Sequence, residues 1–239
     1  MNPVPLFLII VSLPLLLGGC GVEEPVVEVK PEEPVAETKP VEEVPLNPNL
    51  KYEIKDGTVT ITGCDKKASG ALTIPATIEG KPVTSIGKSA FTGCTSLMSI
   101  TIPDGVTSII GSGAFWGCAS LTSITIPDSV TSIGGGAFIG CASLTSITIP
   151  DSVSSIGNGF FGGCASLTSI TIPDGVTSIG FRAFGDCTSL TAVTFLGDAP
   201  KEGKEVFKDS VPTIYRKPDA KGWGDTFAGR PVKLIGEKP

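Results

Sequence analysis

Residues 118–140 read CASLTSITIPDSVTSIGGGAFIG, and residues 141–163 repeat them with changes at only four positions: Thr131/Ser154, Gly135/Asn158, Ala137/Phe160 and Ile139/Gly162. Residues 164–186 continue in the same frame, and residues 94–117 give the same phrase with one extra residue, most simply Ile110. A fixed period of this length, with apolar residues locked to it, predicts a solenoid of stacked coils instead of a domain built around one compact core.

Each position of the phrase has a physical task. Leu121, Ile124 and Ile126 fall on one side of an extended segment, and Thr122, Ser123 and Thr125 fall on the other. Their β-branched side chains suit a half-buried strand. Pro127 has no N–H to give to a ladder, so the strand ends there, and Pro-Asp-Ser sets a turn. Val130 and Ile133 make a second, shorter extended piece, residues 134–136 turn the chain again, and Ala137-Phe138 opens a compact stretch that ends at Cys141. One such coil buries too little apolar surface to offset the entropy of ordering it. Coils must therefore stack, and the two ends of the stack need caps.

Copies begin at Leu72, in degenerate form, and recur at Leu97, Leu121, Leu144, Leu167 and Leu190. The pattern L-x-x-I-x-I-P followed by V-x-x-I-G-x-x-A-F-x-x-C resembles the BspA-like leucine-rich repeats of bacterial surface proteins. That resemblance implies a right-handed leucine-rich solenoid, rich in β structure, with a parallel sheet on its concave side, short helical turns and about six repeats. It also implies adhesion to host or environmental macromolecules. The chain departs from the pattern locally. Ile110 is inserted, which predicts a bulge; Phe160 stands where an Ala is usual, which predicts a tighter rung; and residues 197–206 leave the phrase, which predicts the start of a C-terminal cap.

The rest of the chain is organised around these repeats. Residues 1–19 are an apolar run ending in Leu17-Gly18-Gly19 ahead of Cys20, and this looks like a bacterial lipoprotein signal. The run of about 12 apolar residues is short for a membrane-spanning helix, which needs about 20. The expectation is cleavage before Cys20, lipid on Cys20, and a mature protein tethered to a membrane on the outer-membrane, surface or periplasmic side. Residues 20–50 then form a Pro/Glu-rich linker. From residue 21 onward it carries eight Glu, two Lys and six Pro, so its net charge of −6 equals that of the whole chain. Proline and like charges keep such a segment extended. The remaining 16 basic and 16 acidic residues balance, which leaves nothing basic enough for nucleic acid. Residues 51–70 contain two alternating runs around Asp56-Gly57, a hairpin signal, and are expected to cap the first coil. Residues 71–196 are the repeats. Residues 197–239 are the C-terminal cap, with short strands at 213–215 and 232–234 flanking Trp223.

The composition excludes several chemistries. The chain has no histidine, so histidine-based triads, zinc sites and acid–base catalysis are out of reach. Cys94, Cys118, Cys141, Cys164 and Cys187 recur at the same coil position with no C-x-x-C pair, and they read as small buried hydrophobes. Side chains running parallel from rung to rung are poorly placed for disulfides. Asp104, Asp128, Asp151 and Asp174 form a like-charged column that turn chemistry accounts for. No catalytic group, metal site or cofactor is expected, and the chain reads as a monomer that is not an enzyme.

Two surfaces remain as candidates for a partner. The outward rows Thr122, Ser123 and Thr125, Thr145, Ser146 and Thr148, and Thr168, Ser169 and Thr171 make a grid of hydroxyls that could take a glycan. The positions that vary between copies place Trp116 and Ile139 on adjacent rungs and Phe181 on a neighbouring column, and they read as the beginning of a protein-contact patch. The leading expectation is protein interaction or adhesion from an envelope lipoprotein, and the alternative is a structural or glycan-directed module.

Overall fold

The computed structural model describes residues 45–109 and 112–236. Cys20, the linker up to residue 44 and the inserted Ile110 lie outside the described residues. The chain winds as a β-solenoid of roughly 23-residue coils. Each coil lays one strand on each of two faces, and the side chains between the faces are buried.

One face carries the L-x-x-I-x-I segments. Ser69–Thr73, Ser96–Thr101 and Ser123–Thr125 run parallel, with Leu72, Ile100 and Ile124 in register. Ser169–Ile172, Ala192–Phe195, Thr213–Arg216 and Arg230–Leu234 continue in the same sense. The opposite face carries the V-x-x-I segments: Thr58–Cys64, Lys81–Ile86, Ser108–Ile109 and Ser132–Ile133, followed by Ser155–Ile156, Ser178–Ile179 and Lys201–Glu202. Alternation decides the burial. In the coil of residues 118–140, Cys118, Leu121, Ile124, Ile126, Val130, Ile133, Ala137 and Phe138 are buried, whereas Thr122, Ser123 and Thr125 are exposed.

At the N-terminus Leu50–Lys55 pairs antiparallel with Thr58–Cys64 across Asp56-Gly57, whose φ values of 50° and 76° fit an aspartate followed by a glycine. This hairpin closes the first coil. At the other end Thr226–Phe227 folds back on Arg230–Leu234, and Phe195, Trp223 and Phe227 pack mutually with ring centroids 5.0–5.4 Å apart. Coil geometry runs on past Leu196. Lys201–Glu202 pairs with Ser178–Ile179, and Phe207 stacks on Phe184 at 5.5 Å.

The turn edge differs from the expected helical turns, for no helix forms among the described residues. The amides around Ala-Phe take partners alternately. Gly113, Phe115 and Gly117 donate to the next coil at Gly135, Ala137 and Ile139, whereas Trp116 and Cys118 close local turns onto Gly113 and Phe115. With every second N–H spent on a neighbour, and with Gly113 and Gly117 at positive φ, a helix cannot propagate.

A column of phenylalanines fills the interior behind this edge. Phe91, Phe115, Phe138, Phe161 and Phe184 lie nearly parallel, with successive centroids 5.3, 5.3, 5.7 and 5.4 Å apart. The widest step is the one into which Phe160 inserts its ring, 4.8 Å from Phe161 and 5.6 Å from Phe138. Phe160 was expected to tighten this rung and instead opens it, because a phenyl ring occupies the volume its neighbours give to a methyl. Both sheets are interrupted at the same step. Ser132–Ile133 does not pair with Ser155–Ile156, and on the face of the L-x-x-I-x-I segments residues 145–149 join neither the ladder before them nor the one after. The turn edge stays continuous there, through Gly136 to Asn158, Phe138 to Phe160 and Gly140 to Gly162, and the step is also spanned by Ser143 N to Ala119 O, Thr145 N to Thr122 O and Ser152 Oγ to Val130 O.

Candidate binding surfaces on the turn edge and the strand face

Each coil projects one residue outward between the buried Phe and the following Gly or Asp: Thr92, Trp116, Ile139, Gly162 and Gly185. The buried ring on one side and the turn on the other force that position out of the core. Trp116 is 54% exposed, and its ring edge lies over Gly113, where a Cβ would meet it at 3.6 Å. Ile139 is half-buried, lies over the equivalent glycine of its own coil and also reaches the next coil. Its Cδ1 rests where a Cβ on Gly136 would come within 2.9 Å and one on Gly159 within 3.2 Å, so those glycines make room for it.

Ile139 and Phe181 lie on the rim of a groove of about 480 Å³ whose floor includes Gly159 and Gly162 and whose far side carries Arg182 and Asp186. Phe181 is 45% exposed. The Arg182 guanidinium lies 5.3 Å from its ring centroid and pairs with Glu205 at 2.6 Å, while Asn158 Oδ1 accepts the Phe181 amide at 2.8 Å. Of the three patch residues inferred from sequence, the structure joins Ile139 and Phe181 in one groove. Trp116 stands one coil earlier, outside its lining, tied to it through the Gly117 amide donating to Ile139 O at 2.7 Å. Arg182 was not singled out in the sequence. Its signal was available, since it follows a variable aromatic and lies 23 residues before Glu205.

The hydroxyl rows divide into two kinds. Thr122 and Thr145 donate their hydroxyls to the carbonyls of Met98 and Thr122 in the preceding coil, at 3.0 and 3.4 Å, so their polar atoms serve the stack. Ser123, Ser146 and Ser169 and Thr125, Thr148 and Thr171 are exposed. Ser146, Thr148, Ser169 and Thr171 line a cleft of about 410 Å³ beside the strand that left the ladder. Thr168 is exposed and gives its carbonyl to the Thr191 hydroxyl at 3.1 Å. The same face also carries Met98, 55% exposed, at the position Thr holds in the following coils.

The cysteine column does more than fill space. Cys118, Cys141, Cys164 and Cys187 each direct Sγ to the carbonyl of the Phe one coil earlier, at 3.1–3.3 Å. Each Phe carbonyl in this set also accepts its own coil's Cys amide. Burial raises the pKa of all four thiols, to about 12 for Cys141 and Cys187, which keeps them protonated as donors. Ser210 takes the same position in the last coil, donating to Phe184 O and accepting the Cys187 amide, both at 2.8 Å. A search for cysteine passes over this residue, although its 23-residue spacing from Cys187 marks it. The aspartates of the turn column are exposed, and among the described residues no three Cys, Asp or Glu side chains converge to hold a metal.

Several solved structures share this architecture. A leucine-rich repeat protein of T. pallidum is 29% identical, with 74% of this chain aligned to 87% of that one and a TM-score of 0.60. A leucine-rich cell surface protein of Faecalibacterium prausnitzii A2-165 is 33% identical with a TM-score of 0.52, and the match covers 71% of this chain and 54% of that longer protein. A leucine-rich repeat protein of Eubacterium ventriosum, 24% identical over 73% of this chain and 53% of its own, has a TM-score of 0.53 and shares the fold. No curated protein matches the chain. The model of the BspA type leucine rich repeat region matches residues 84–213 in six copies. With more than half its length matched and every coil built on the same phrase, the chain belongs to the BspA-type leucine-rich repeat family.

Proposed function

We propose that this protein is a non-enzymatic, lipid-anchored bacterial surface protein that binds a protein partner through the turn edge around Ile139 and Phe181. The observation that carries this reading is the groove itself. Two large apolar side chains, Ile139 and Phe181, line a glycine-rich depression on the turn edge, at positions that vary between copies. Exposed aromatic and aliphatic groups beside an arginine are the composition of binding anchors. The surface location draws support from the Faecalibacterium cell surface protein and from the Cys20 motif, and the acidic linker of residues 21–50 suits a tether.

The test begins with binding of the full chain to panels of extracellular proteins and of glycans. Trp116→Ala with Ile139→Ser should weaken protein binding at least tenfold and leave glycan binding unchanged. Binding of every protein hit unaffected by this pair would refute the edge as the contact. A second reading has its own observation, the cleft lined by Ser146, Thr148, Ser169 and Thr171. It predicts that Thr125→Val with Thr148→Val abolishes binding to a glycan and spares protein hits. For location, protease on intact cells should digest the wild type, and Cys20→Ala should release the protein or leave it unprocessed. Protection until the envelope is opened would place it in the periplasm and remove adhesion.

A further inference from the structure

The ladder cysteines from Cys118 onward point the same way, each into the phenylalanine carbonyl of the coil before it. Among the described residues no phenylalanine precedes the one in Cys94's own coil, Phe91. Its Sγ faces the end of the N-terminal hairpin, 4.0 Å from the Cys64 carbonyl oxygen and 3.9 Å from that of Asp65. Cys64 Sγ turns to the same Asp65 oxygen, at 3.6 Å. Two thiols from different elements thus converge on one acceptor, close enough that each perturbs the other's ionisation. Their relation is not the in-register one that keeps the other cysteines apart, because Cys64 ends a hairpin strand and sits outside the column. Cys64 is half-buried and reachable, whereas Cys94 is buried. Burial raises the Cys94 thiol, and the neighbouring Cys64 and the Lys66 ammonium, whose side chain lies over Gly93, offset only part of that rise.

We propose that Cys64 and Cys94 form a disulfide that fastens the N-terminal hairpin to the first full coil. The oxidant is an external disulfide, either oxidised glutathione or the disulfide of a thiol–disulfide oxidoreductase. The Cys64 thiolate attacks it, forming a mixed disulfide and releasing one thiol. The Cys94 thiolate then attacks Cys64 Sγ, the mixed S–S bond breaks, and the second thiol leaves. Two cysteine protons end on the two released thiols, and the external disulfide takes up two electrons. Burial first, then the neighbouring Cys94 and Asp65, raise the Cys64 thiol to about 12, so exchange starts from a small thiolate fraction and an enzymatic oxidant should outpace glutathione.

The experiment uses the full chain, folded, exposed to oxidised glutathione and then alkylated. Trypsin is unsuitable, because residues 89–182 contain four of the ladder cysteines in one fragment. Cleavage before aspartate separates them: Cys64 falls in residues 56–64 and Cys94 in residues 65–103. The expected product is these two fragments joined, with Cys118, Cys141, Cys164 and Cys187 alkylated only after unfolding. Oxidation should also slow amide exchange in residues 50–64 relative to the reduced chain. Cys64→Ser, at a half-buried site that tolerates serine, should abolish the joined fragment and leave Cys94 free. Cys64 recovered as a stable glutathione adduct, as a free thiol, or joined to any other cysteine, Cys20 included, would overturn the proposal.

Discussion

Removing the Phe160 ring should cost far less than removing the Phe138 ring, although both are fully buried. Phe138→Ala deletes a member of the phenylalanine column that stacks on Phe115 at 5.3 Å and on Phe161 at 5.7 Å, and nothing is regained. A loss of about 3–5 kcal/mol is expected. Phe160→Ala loses a similar transfer term but restores the alanine that the other coils use, and this lets the two halves of the solenoid close. In other coil pairs the contact includes bonds such as Thr131 N to Thr107 O and Gly134 N to Ile109 O, besides those between the longer strands. Recovering about four such bonds at a net of about 1 kcal/mol each offsets most of the lost burial. The expected net change is within about 2 kcal/mol of zero. Urea unfolding followed by circular dichroism compares the two variants, and amide exchange reads the ladder directly. The amides of Ser154, Gly157 and residues 146–149 should become protected in Phe160→Ala. If Phe160→Ala falls as far as Phe138→Ala and those amides exchange as in the wild type, the ring is not what parts the sheets.

Three further outcomes follow from the stack. Ser210→Ala leaves the Phe184 carbonyl and the Cys187 amide without the bonds Ser210 gives them, and should cost about 1–3 kcal/mol; Ser210→Cys, which restores the donor of the other coils, should recover part of it in the same melts. Gly180→Ala would place a Cβ 2.5 Å from the Asn158 nitrogen, where backbone cannot yield, so it should destabilise by at least about 1–3 kcal/mol, the cost of overpacking, and a wild-type melting curve would contradict the close approach. The ladder thiols have folded pKa values above their unfolded value of about 8.5, reaching about 12 at Cys141 and Cys187. Their contribution is therefore whole below about pH 8.5 and lost as pH rises toward 12, since the unfolded chain then releases protons the fold retains. Alkaline titration should show thiolate absorbance appearing together with loss of the β signal, and thiolates forming in an intact fold would contradict their burial.

Much of this fold was legible because one rule repeats. Leu121, Ile124 and Ile126 alternate with Thr122, Ser123 and Thr125, and a strand can satisfy that pattern only by burying one side, so six copies determine the two faces. Asp56-Gly57 marks the cap hairpin because few residues accept two successive positive φ values. What the letters hide is geometry that depends on a neighbour. Phe160 looks like a conservative apolar change, and its effect on two sheets appears only when the adjacent coil is in place. The cysteines look like fillers until the Phe carbonyl of the preceding coil comes within reach of each thiol. The apparent helical turns fail for the same reason, because their amides are claimed from outside. At the candidate edge, the variable letters Ile139 and Phe181 were readable, but the seating of Ile139 over the glycines at 136 and 159, and the position of Trp116 outside the groove lining, depend on neighbouring coils.

The turn edge has one more implication, for how such a chain can change its length. From Phe91 to Asp186, each coil offers donors equivalent to Phe115 and Gly117 to the coil that follows, which supplies the acceptors. A coil is thus an interchangeable part with one kind of coupling on each end. Residues 118–140 and 141–163 differ at four positions, so recombination between such near-identical segments would add or delete a whole period and leave every coupling matched. Gain or loss of one residue inside the edge would misalign donors along its length. Copy number is therefore the freely variable dimension of this protein, and the spacing within the turn edge is the fixed one.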